Sequence, residues 1–461
     1  MLRTHTCGEL RKKDVGKKVK LCGWVDTVRA HGKLTFIDLV DRYGKIQVVI
    51  KDKNDLKNGY CVRISGEVKA RKAGTENKDL ETGEVELLCE NIETFNESPP
   101  LPFEIGDSNV SEEVRLKYRF LDLRSKELQK NLILRHKIIK SFRDFFDKDG
   151  FIEVETPFLG KSTPEGARDY LVPSRVNAGK FYALPQSPQL YKQLLMVSGF
   201  DKYFQIARCM RDEDLRADRQ PEFTQVDAEM SFVDENDIFD VVERALKQVL
   251  KEVFNKDIKI PFPRMPYAEA MSKYKSDKPD LRKDKTNSDE LAFSWIVDFP
   301  LFEWSDEDKK WNAAHHQFCM PSDLNKLEKD KANVKARTYD LVLNGTELLS
   351  GSIRIHNPKI QSKVFRELGI DEKEAQKKFG FLLSALGHGA PVHGGFAIGL
   401  DRLIQILLKA PSIREVIAFP KNQSAQDMML DAPNDVDEKQ LKEAHIKLDL
   451  QKKEEKKAKK K

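Results

Sequence analysis

The chain is 461 residues long, more than one ordinary domain needs, so we expect two or three domains, each with its own core. Hydrophobic residues make up 39% of it and include 26 phenylalanines, a composition that excludes wholesale disorder. Charged residues make up 34% but nearly balance, at a net charge of +5, which is compatible with a solvated surface and with a basic face for nucleic acid.

Cysteine usage and the N-terminus both indicate an intracellular protein. The cysteines are scattered, with neither a CxxC pair nor a Cys/His zinc spacing, at Cys7, Cys22, Cys61, Cys89, Cys209 and Cys319. The first residues lack the apolar core of a signal peptide, and no stretch approaches the roughly 20 apolar residues of a membrane span. We expect a cytoplasmic protein with no membrane partner.

Residues 1–98 have the pattern of a small β-barrel. Short apolar and β-branched runs, punctuated by glycines, lie at 19–25, 34–40, 46–50, 61–68 and 85–92. Five short strands in about 80 residues favour an OB-fold, although another small barrel or a sandwich has the same pattern. Prolines at 99, 100 and 102 open a segment, 99–125, that we predict to be a linker.

Residues 126–432 predict a second, α+β domain. Apolar side chains recur at helical spacing over 126–148, Gly150 follows as a stop signal, and a predicted strand ends at Pro157. Strand-like runs at 181–184, 204–207, 295–299 and 348–355 then alternate irregularly with helices, which favours a mixed or antiparallel sheet. Residues 433–461 predict a charged helix with a lysine-rich tail, either solvated or attracted to phosphate.

Three nucleotide or metal signals fail on spacing. Gly160-Lys161-Ser162 resembles the end of a phosphate-binding loop, but Glu155 stands where the first glycine is required. Residues 394–399 lack the spacing of a dinucleotide-binding loop after a strand. The adjacent histidines at 315 and 316 are a poor metal chelate, because neighbouring side chains seldom converge on one ion.

Other segments carry a specific resemblance. Residues 207–214 and 219–225 resemble motif 2 of class II aminoacyl-tRNA synthetases, residues 393–402 resemble motif 3, and the helix leading to Pro157 is similar to motif 1, the dimer-forming element. Within that class, residues 163–170, 186–193 and 351–356 resemble the aspartyl-tRNA synthetases. The resemblance implies an α+β homodimer: an N-terminal OB-fold β-barrel, then a class II catalytic domain on an antiparallel sheet flanked by helices.

The resemblance also implies a chemistry. Such enzymes activate aspartate with ATP and Mg²⁺, release pyrophosphate and esterify the amino acid onto tRNA(Asp). The aspartate carboxylate that attacks the α-phosphate is already ionised near neutral pH, so catalysis reduces to alignment and neutralisation of phosphate charge. The positions matching catalytic residues are Arg211, Glu347 and Arg402, and those matching the acidic Mg²⁺ positions are Asp340 and Glu347.

Substrate positions are carried over in the same way. The ATP-binding positions are Arg211, Asp212, Glu213, Gln220, Phe223, Glu347, Gly399, Leu400, Asp401 and Arg402, with adenine between Phe223 and Arg402. The aspartate-binding positions are Glu165, Gln189, Lys192, Arg211, His315 and Arg354. Lys192 and Arg354 match the side-chain carboxylate site, and on sequence grounds only a ligand with a negative charge offsets their desolvation.

The barrel is expected to read the anticodon. Arg29, Phe36 and Gln47 match the anticodon-binding positions, where an aromatic ring stacks on a base and polar groups contact its edge. His31 lies between the first two strands, as in similar enzymes that also charge tRNA(Asn), so a second tRNA substrate stays open.

The sequence departs from the bacterial aspartyl-tRNA synthetase pattern at two places, and two alternative functions stay open. Residues 283–294 form a short polar loop where bacterial aspartyl enzymes carry an inserted domain, and Leu349 and Ser350 replace a glycine-rich stretch beside Glu347. An asparaginyl-tRNA synthetase shares the architecture, but an amide does not offset two buried cations. A catalytically inactive RNA-binding paralogue is the other rival, and the intact motif residues argue against it.

Overall fold

The computed structural model describes residues 1–449 except 53, 164, 165 and 308, so the lysine-rich tail lies outside the described residues. The chain divides into two compact units, Met1–Gln129 and Lys130–Lys461. Among the described residues, no helix combines the length and apolar character that a bilayer crossing requires.

The first unit contains the predicted barrel. Five strands close it in the order β1-β2-β3-β5-β4, and they are β1 Lys18–His31, β2 Leu34–Asp41, β3 Gly44–Ile50, β4 Cys61–Ala70 and β5 Val85–Asn96. Alternation along β2 puts Ile37 and Leu39 in the core and turns Phe36 and Asp38 outward. Closure excludes the sandwich alternative and confirms the OB-fold.

The segment predicted to be a linker is partly helical. No helix or strand occurs between β5 and Ser111, but α1 Glu112–Lys117 and α2 Arg119–Asp122 follow, and the Ser111 side chain caps α1 by accepting from the backbone N–H of Val114. All of 99–125 falls within the first compact unit. The exact domain bounds stay a prediction.

The second unit is built on one eight-stranded sheet in the order β11-β12-β15-β16-β17-β10-β9-β6. Its strands are β6 Ile152–Glu153, β9 Lys202–Met210, β10 Glu222–Ser231, β11 Arg264–Pro266, β12 Phe293–Val297, β15 Thr338–Leu343, β16 Thr346–Ile353 and β17 His393–Gly399. Two separate hairpins are β7 Leu171–Pro173 with β8 Phe181–Ala183, and β13 Phe302–Ser305 with β14 Lys310–Ala313. The helices are α3 Lys126–Lys148, which matches its predicted bounds, α4 Gln189–Val197, α5 Glu235–Phe254, α6 Tyr267–Tyr274, α7 Pro358–Glu367, α8 Glu372–Leu386, α9 Leu400–Leu408 and α10 Glu438–Glu443.

The sheet has an apolar face and a polar face. On the apolar face, side chains of β9, β10, β16 and β17 form one core with α3 and α5, including Phe146, Phe204 and Phe396. The inner pairings are antiparallel, as expected, but each edge strand is parallel to its neighbour: β6 to β9 and β11 to β12. The sheet is therefore mixed, and neither edge strand is joined to its neighbour by a hairpin, the connection that would require an antiparallel pair.

A tight hairpin joins β15 to β16 and sets the direction of Glu347. Asn344 and Gly345 both have positive φ, 52° and 82°, as a two-residue turn of this kind requires. A bulge follows, because Leu341 pairs with Leu349 whereas Val342 pairs with Glu347. The adjacent Leu348 and Leu349 thus both enter the same core, and Glu347 lies on the polar face.

Candidate functional site

Alternate residues of β10 form the floor of a large cavity on the polar face. Phe223, Gln225 and Asp227 line this cavity of about 610 Å³, and Glu229 continues their row with no exposed surface. The residues of β17 that pair with positions 225, 227 and 229 are Gly399, Ala397 and Gly395. Because these side chains are minimal, the long polar groups of β10 can lie across the neighbouring strand.

Gly395 is required by the closest of these approaches. A Cβ atom at this position would lie 2.0 Å from Oε2 of Glu229, far inside contact distance. The glycine therefore makes the space in which the buried Glu229 carboxylate is held.

Four buried charges occupy the deep end of the cavity. Nζ of Lys192 lies 2.8 Å from Oδ2 of Asp227 and 3.3 Å from Oε2 of Glu229. Arg354 donates from Nε and Nη2 to the two oxygens of Glu229, at 2.9 and 3.1 Å. The expectation that only a ligand could offset Lys192 and Arg354 is wrong, because two carboxylates of the protein already balance them.

Burial and the nearby cations shift the pKa values of Asp227, Glu229 and His316. Burial raises the pKa of Asp227 to about 6 despite the opposing effect of Lys192. Burial would also raise the pKa of Glu229, but Arg354 and Lys192 together outweigh it and hold this pKa below its ordinary value. Burial and the adjacent Arg354 lower the pKa of His316 well below its ordinary value, so His316 is a neutral acceptor for Nη1 of Arg354, 2.7 Å away.

Two polar atoms at this end of the cavity are left without a partner. Oδ1 of Asp227 and Nε2 of Gln189 are buried and accept or donate no hydrogen bond within the described chain. Both residues line the cavity. The cavity therefore offers a polar ligand one unpaired acceptor and one unpaired donor.

The open end of the cavity carries arginines and one aromatic ring. The guanidinium of Arg211 lies 5.0 Å from the centre of the Phe223 ring, whereas Arg402 donates from Nη1 to the backbone oxygen of Glu347, at 2.7 Å. The Phe223 ring thus contacts the Arg211 guanidinium, and the predicted placement of adenine between Phe223 and Arg402 stays a prediction. Glu213 and Gln220 also line the cavity.

Asp340 and Glu347 lie together beside the cavity. Both line a smaller space of about 220 Å³ with His315 and Ser350. Nε2 of His315 is 3.3 Å from Asp340. Burial alone would lower the pKa of His315, but the effect of this carboxylate is larger, so the pKa is raised above its ordinary value. Burial raises the pKa of Glu347, but Lys278 at 2.8 Å outweighs it, so the Glu347 carboxyl is ionised at neutral pH.

Some expected site residues lie elsewhere. Asp212 and Leu400 do not line the cavity, and Leu400 is fully buried in the core. Asp401 lines it, but its carboxylate holds Arg135 of α3 and accepts from the backbone N–H of Thr224 at 2.8 Å. Glu165 falls outside the described residues.

The three expected anticodon positions share the outer face of the barrel. Arg29 pairs with Phe36 across β1 and β2, and Asp38 pairs with Gln47 across β2 and β3. Phe36 is half-buried rather than part of the core. Arg29 contacts Asp38 with both terminal nitrogens, at 3.0 and 2.8 Å, so the face presents a ring between partnered polar groups.

Sequence reasoning missed Asp227, Glu229, His316 and Lys278. A usable signal existed for the first two: Asp227 and Glu229 alternate with the apolar Val226, Ala228 and Met230, so both acidic side chains must face the same polar side and need cationic partners. Nothing in the sequence marked Lys278 or His316 in the same way.

Comparison with known families covers both units. The family described as tRNA synthetases class II (D, K and N) matches residues 111–423. The family described as OB-fold nucleic acid binding domain matches residues 19–95. Among solved structures, an asparaginyl-tRNA synthetase from Pyrococcus horikoshii in complex with asparaginyl-adenylate has a TM-score of 0.74 at 24% identity, covering 91% of this chain and 98% of its own. At that identity the likeness concerns the fold.

Two curated bacterial relatives extend over almost the whole chain. The "Aspartate--tRNA(Asp/Asn) ligase" of Thermotoga maritima is 44% identical over 579 residues, 97% of this chain and 100% of its own. The "Aspartate--tRNA ligase" of Ruminiclostridium cellulolyticum is 42% identical over 580 residues, 96% of this chain and 98% of its own. Both alignments exceed the 461 residues present here, so the relatives carry segments without a counterpart in this chain. With one family matching residues 111–423 and relatives above 40% identity along nearly its full length, this chain belongs to the class II tRNA synthetases.

Proposed function

We propose that this protein is an aspartate–tRNA ligase that joins L-aspartate to ATP, forming aspartyl-adenylate and pyrophosphate, and then transfers aspartate to the 3′ end of tRNA(Asp). The observation that best supports this is the buried cation pair Lys192 and Arg354, which lines the same cavity as Phe223. The two relatives named as aspartate–tRNA ligases support the same assignment.

The closed end has the complementary groups for a free aspartate molecule. Lys192 and Arg354 would bind its side-chain carboxylate with charge-assisted hydrogen bonds. Oδ1 of Asp227, buried without a partner, would accept from its α-ammonium group, and the free amide of Gln189 would donate to its carboxylate end. His315 lies at the rim of the same cavity and would cover the bound amino acid.

The open end suits ATP. Adenine would stack on Phe223 after Arg211 leaves the ring, and Glu213, Gln220, Gly399 and Arg402 line the same space. Arg211 would then bind the α-phosphate and align it with the aspartate carboxylate, which requires no general base because it is ionised at neutral pH. Asp212, Leu400 and Asp401 would contribute to ATP binding by holding the backbone of the site in place rather than through side-chain contacts with the nucleotide.

A divalent cation fits the carboxylates of Asp340 and Glu347. They lie on one face of neighbouring strands, line a shared space, and include one carboxylate whose pKa is lowered. Mg²⁺ ordinarily uses one or two carboxylates together with substrate phosphates, and when bound it would neutralise the phosphate charge. The protein's part is to hold these two oxygen donors beside Arg211 and Arg402.

The barrel would bind the anticodon of tRNA through Phe36, with Arg29 and Gln47 contacting phosphate and base edges. The name of the Thermotoga relative includes tRNA(Asn) as well as tRNA(Asp), and His31, exposed at the end of β1, supports a second substrate. Charging purified tRNA(Asp) and tRNA(Asn) in parallel tests this, and a strong preference for tRNA(Asp) would refute the wider range.

A symmetric dimer through α3 and β6 accompanies this function. β6 is an edge strand with an unpaired side, and its Ile152 is 49% exposed. Ile133 of α3 is 38% exposed. Light scattering across working concentrations should find a dimer, and an active species of monomer mass would contradict it.

The most direct test is ATP–pyrophosphate exchange with a panel of amino acids. Exchange that depends on aspartate supports the proposal. Exchange that depends on asparagine instead would assign an asparaginyl enzyme, and no exchange with any amino acid would assign an inactive RNA-binding paralogue.

A further inference from the structure

Lys278 lies on a loop that contacts the hairpin between β15 and β16. The loop follows α6, and a Cβ atom on Gly345 of the hairpin turn would lie 3.4 Å from Cβ of Asp280. Arg282 donates to both carboxylate oxygens of Asp280, at 3.0, 3.2 and 2.7 Å. The backbone near Lys278 is therefore held against the turn between the strands that carry Asp340 and Glu347.

The side chain of Lys278 reaches one of the two carboxylates. Its Nζ lies 2.8 Å from Oε2 of Glu347, and the two side chains are 40% and 29% exposed. Lys278 also lines the large cavity. The second carboxylate, Asp340, is 3.3 Å from Nε2 of His315. Both carboxylates of the pair thus have a polar partner from the protein itself.

An ammonium group and a metal ion cannot share the same lone pairs at full strength. Mg²⁺ binds carboxylate oxygen at about 2.0–2.1 Å, so an ion on Glu347 competes with the ammonium of Lys278 for the negative charge of this carboxylate. The ammonium also reduces the negative potential that would otherwise attract a cation to Asp340 and Glu347 before ATP arrives.

On the basis of the proposed function, we propose that Lys278 is a positioning residue that occupies Glu347 in the nucleotide-free enzyme and is exchanged for the divalent cation that enters with ATP. Lys278 keeps the carboxylate pair balanced, and hence poor at binding metal, until phosphate oxygens are present. Once displaced, its ammonium remains in the cavity with Arg216 and Arg219, facing the phosphates.

The test is a Mn²⁺ titration of the nucleotide-free, full-length protein, with bound metal measured by electron paramagnetic resonance. Lys278→Met should bind Mn²⁺ about fivefold more tightly than the parent, the factor that corresponds to losing a partly exposed ion pair of about 1 kcal/mol. Lys278→Arg, which keeps the charge, should remain close to the parent. Lys273→Met is the matched control, because Lys273 forms a similar pair with Glu269 on α6, at 2.6 Å, away from the cavity.

Two further measurements make the result unambiguous. Lys278→Met combined with Glu347→Gln should lose the tightening, and thermal unfolding should show that each variant is folded. Lys278→Met binding Mn²⁺ no more tightly than the parent overturns the inference, as does equal tightening in Lys273→Met. Aspartate-dependent pyrophosphate exchange by the parent tests the proposed function separately, so that the two ideas can fail independently.

Discussion

Replacing Lys192 with methionine removes one of two cations from a pocket whose charges otherwise cancel. The Nζ atom is 2.8 Å from Asp227 and its side chain is 2% exposed, so the change leaves one buried cation, Arg354, facing two carboxylates. An incoming aspartate then loses one charge-assisted hydrogen bond, worth about 1.5–3 kcal/mol, and its kcat/KM should fall roughly 10- to 150-fold. Asparagine is neutral and should change little, so the aspartate preference narrows by a similar factor.

The assay is pyrophosphate exchange at pH 7 with aspartate and with asparagine, together with the KM for ATP, which should stay near that of the parent. Lys192→Met combined with Asp227→Asn is an informative control. It also removes the proposed acceptor of the substrate ammonium group, so aspartate activation should fall below that of Lys192→Met alone. An unchanged aspartate-to-asparagine ratio in Lys192→Met would show that this lysine does not contact the substrate carboxylate.

Further outcomes follow from the same contacts. Asp227 has a pKa of about 6, so it is ionised above and protonated below that pH; the KM for aspartate should rise as pH falls through 6, and Asp227→Asn should abolish this dependence. Gly395→Ala places a Cβ 2.0 Å from Glu229 and should lower both the melting temperature and aspartate activation. Phe223→Leu should raise the KM for ATP several-fold with little effect on aspartate, measured by exchange kinetics. Phe36→Ala should weaken tRNA charging by about 1–3 kcal/mol of lost stacking, while pyrophosphate exchange, which needs no tRNA, is unaffected.

Secondary-structure elements could be predicted from the sequence where neighbouring residues determine them. The helix 126–148 was predicted at its observed bounds because its apolar side chains repeat every three to four residues and Gly150 stops it. The barrel strands were predicted because alternation and glycines specify each one locally. A strand ending at Pro157 was also predicted, and β6 Ile152–Glu153 lies within it, but its parallel pairing with β9 was not predicted, because that partner lies far away in sequence.

The same contrast, between features set by neighbouring residues and features set by distant segments, holds for the candidate site. Resemblance identified Lys192 and Arg354, but their carboxylate partners on β10 depend on which face of the sheet each strand presents. Asp401 was assigned to ATP from its motif, whereas its carboxylate ties α3 to β10 through Arg135 and Thr224. No linear pattern predicts that a charged residue of a substrate motif has its side chain committed to packing.

The balance of charge among Lys192, Arg354, Asp227 and Glu229 determines which solutes would compete with the amino acid for this pocket. Two unpartnered cations in a buried cavity would attract chloride, sulfate or phosphate from the cell, and each such ion would have to be expelled before the amino acid could bind. With Asp227 and Glu229 beside Lys192 and Arg354, the four buried charges cancel, so the pocket has no net positive charge with which to attract a small inorganic anion. Under the proposed function, aspartate would still have an advantage over such ions, because its ammonium would meet the free oxygen of Asp227 while its carboxylate met the cations. A pocket of this kind would therefore favour a zwitterion with an extra carboxylate over simple inorganic anions.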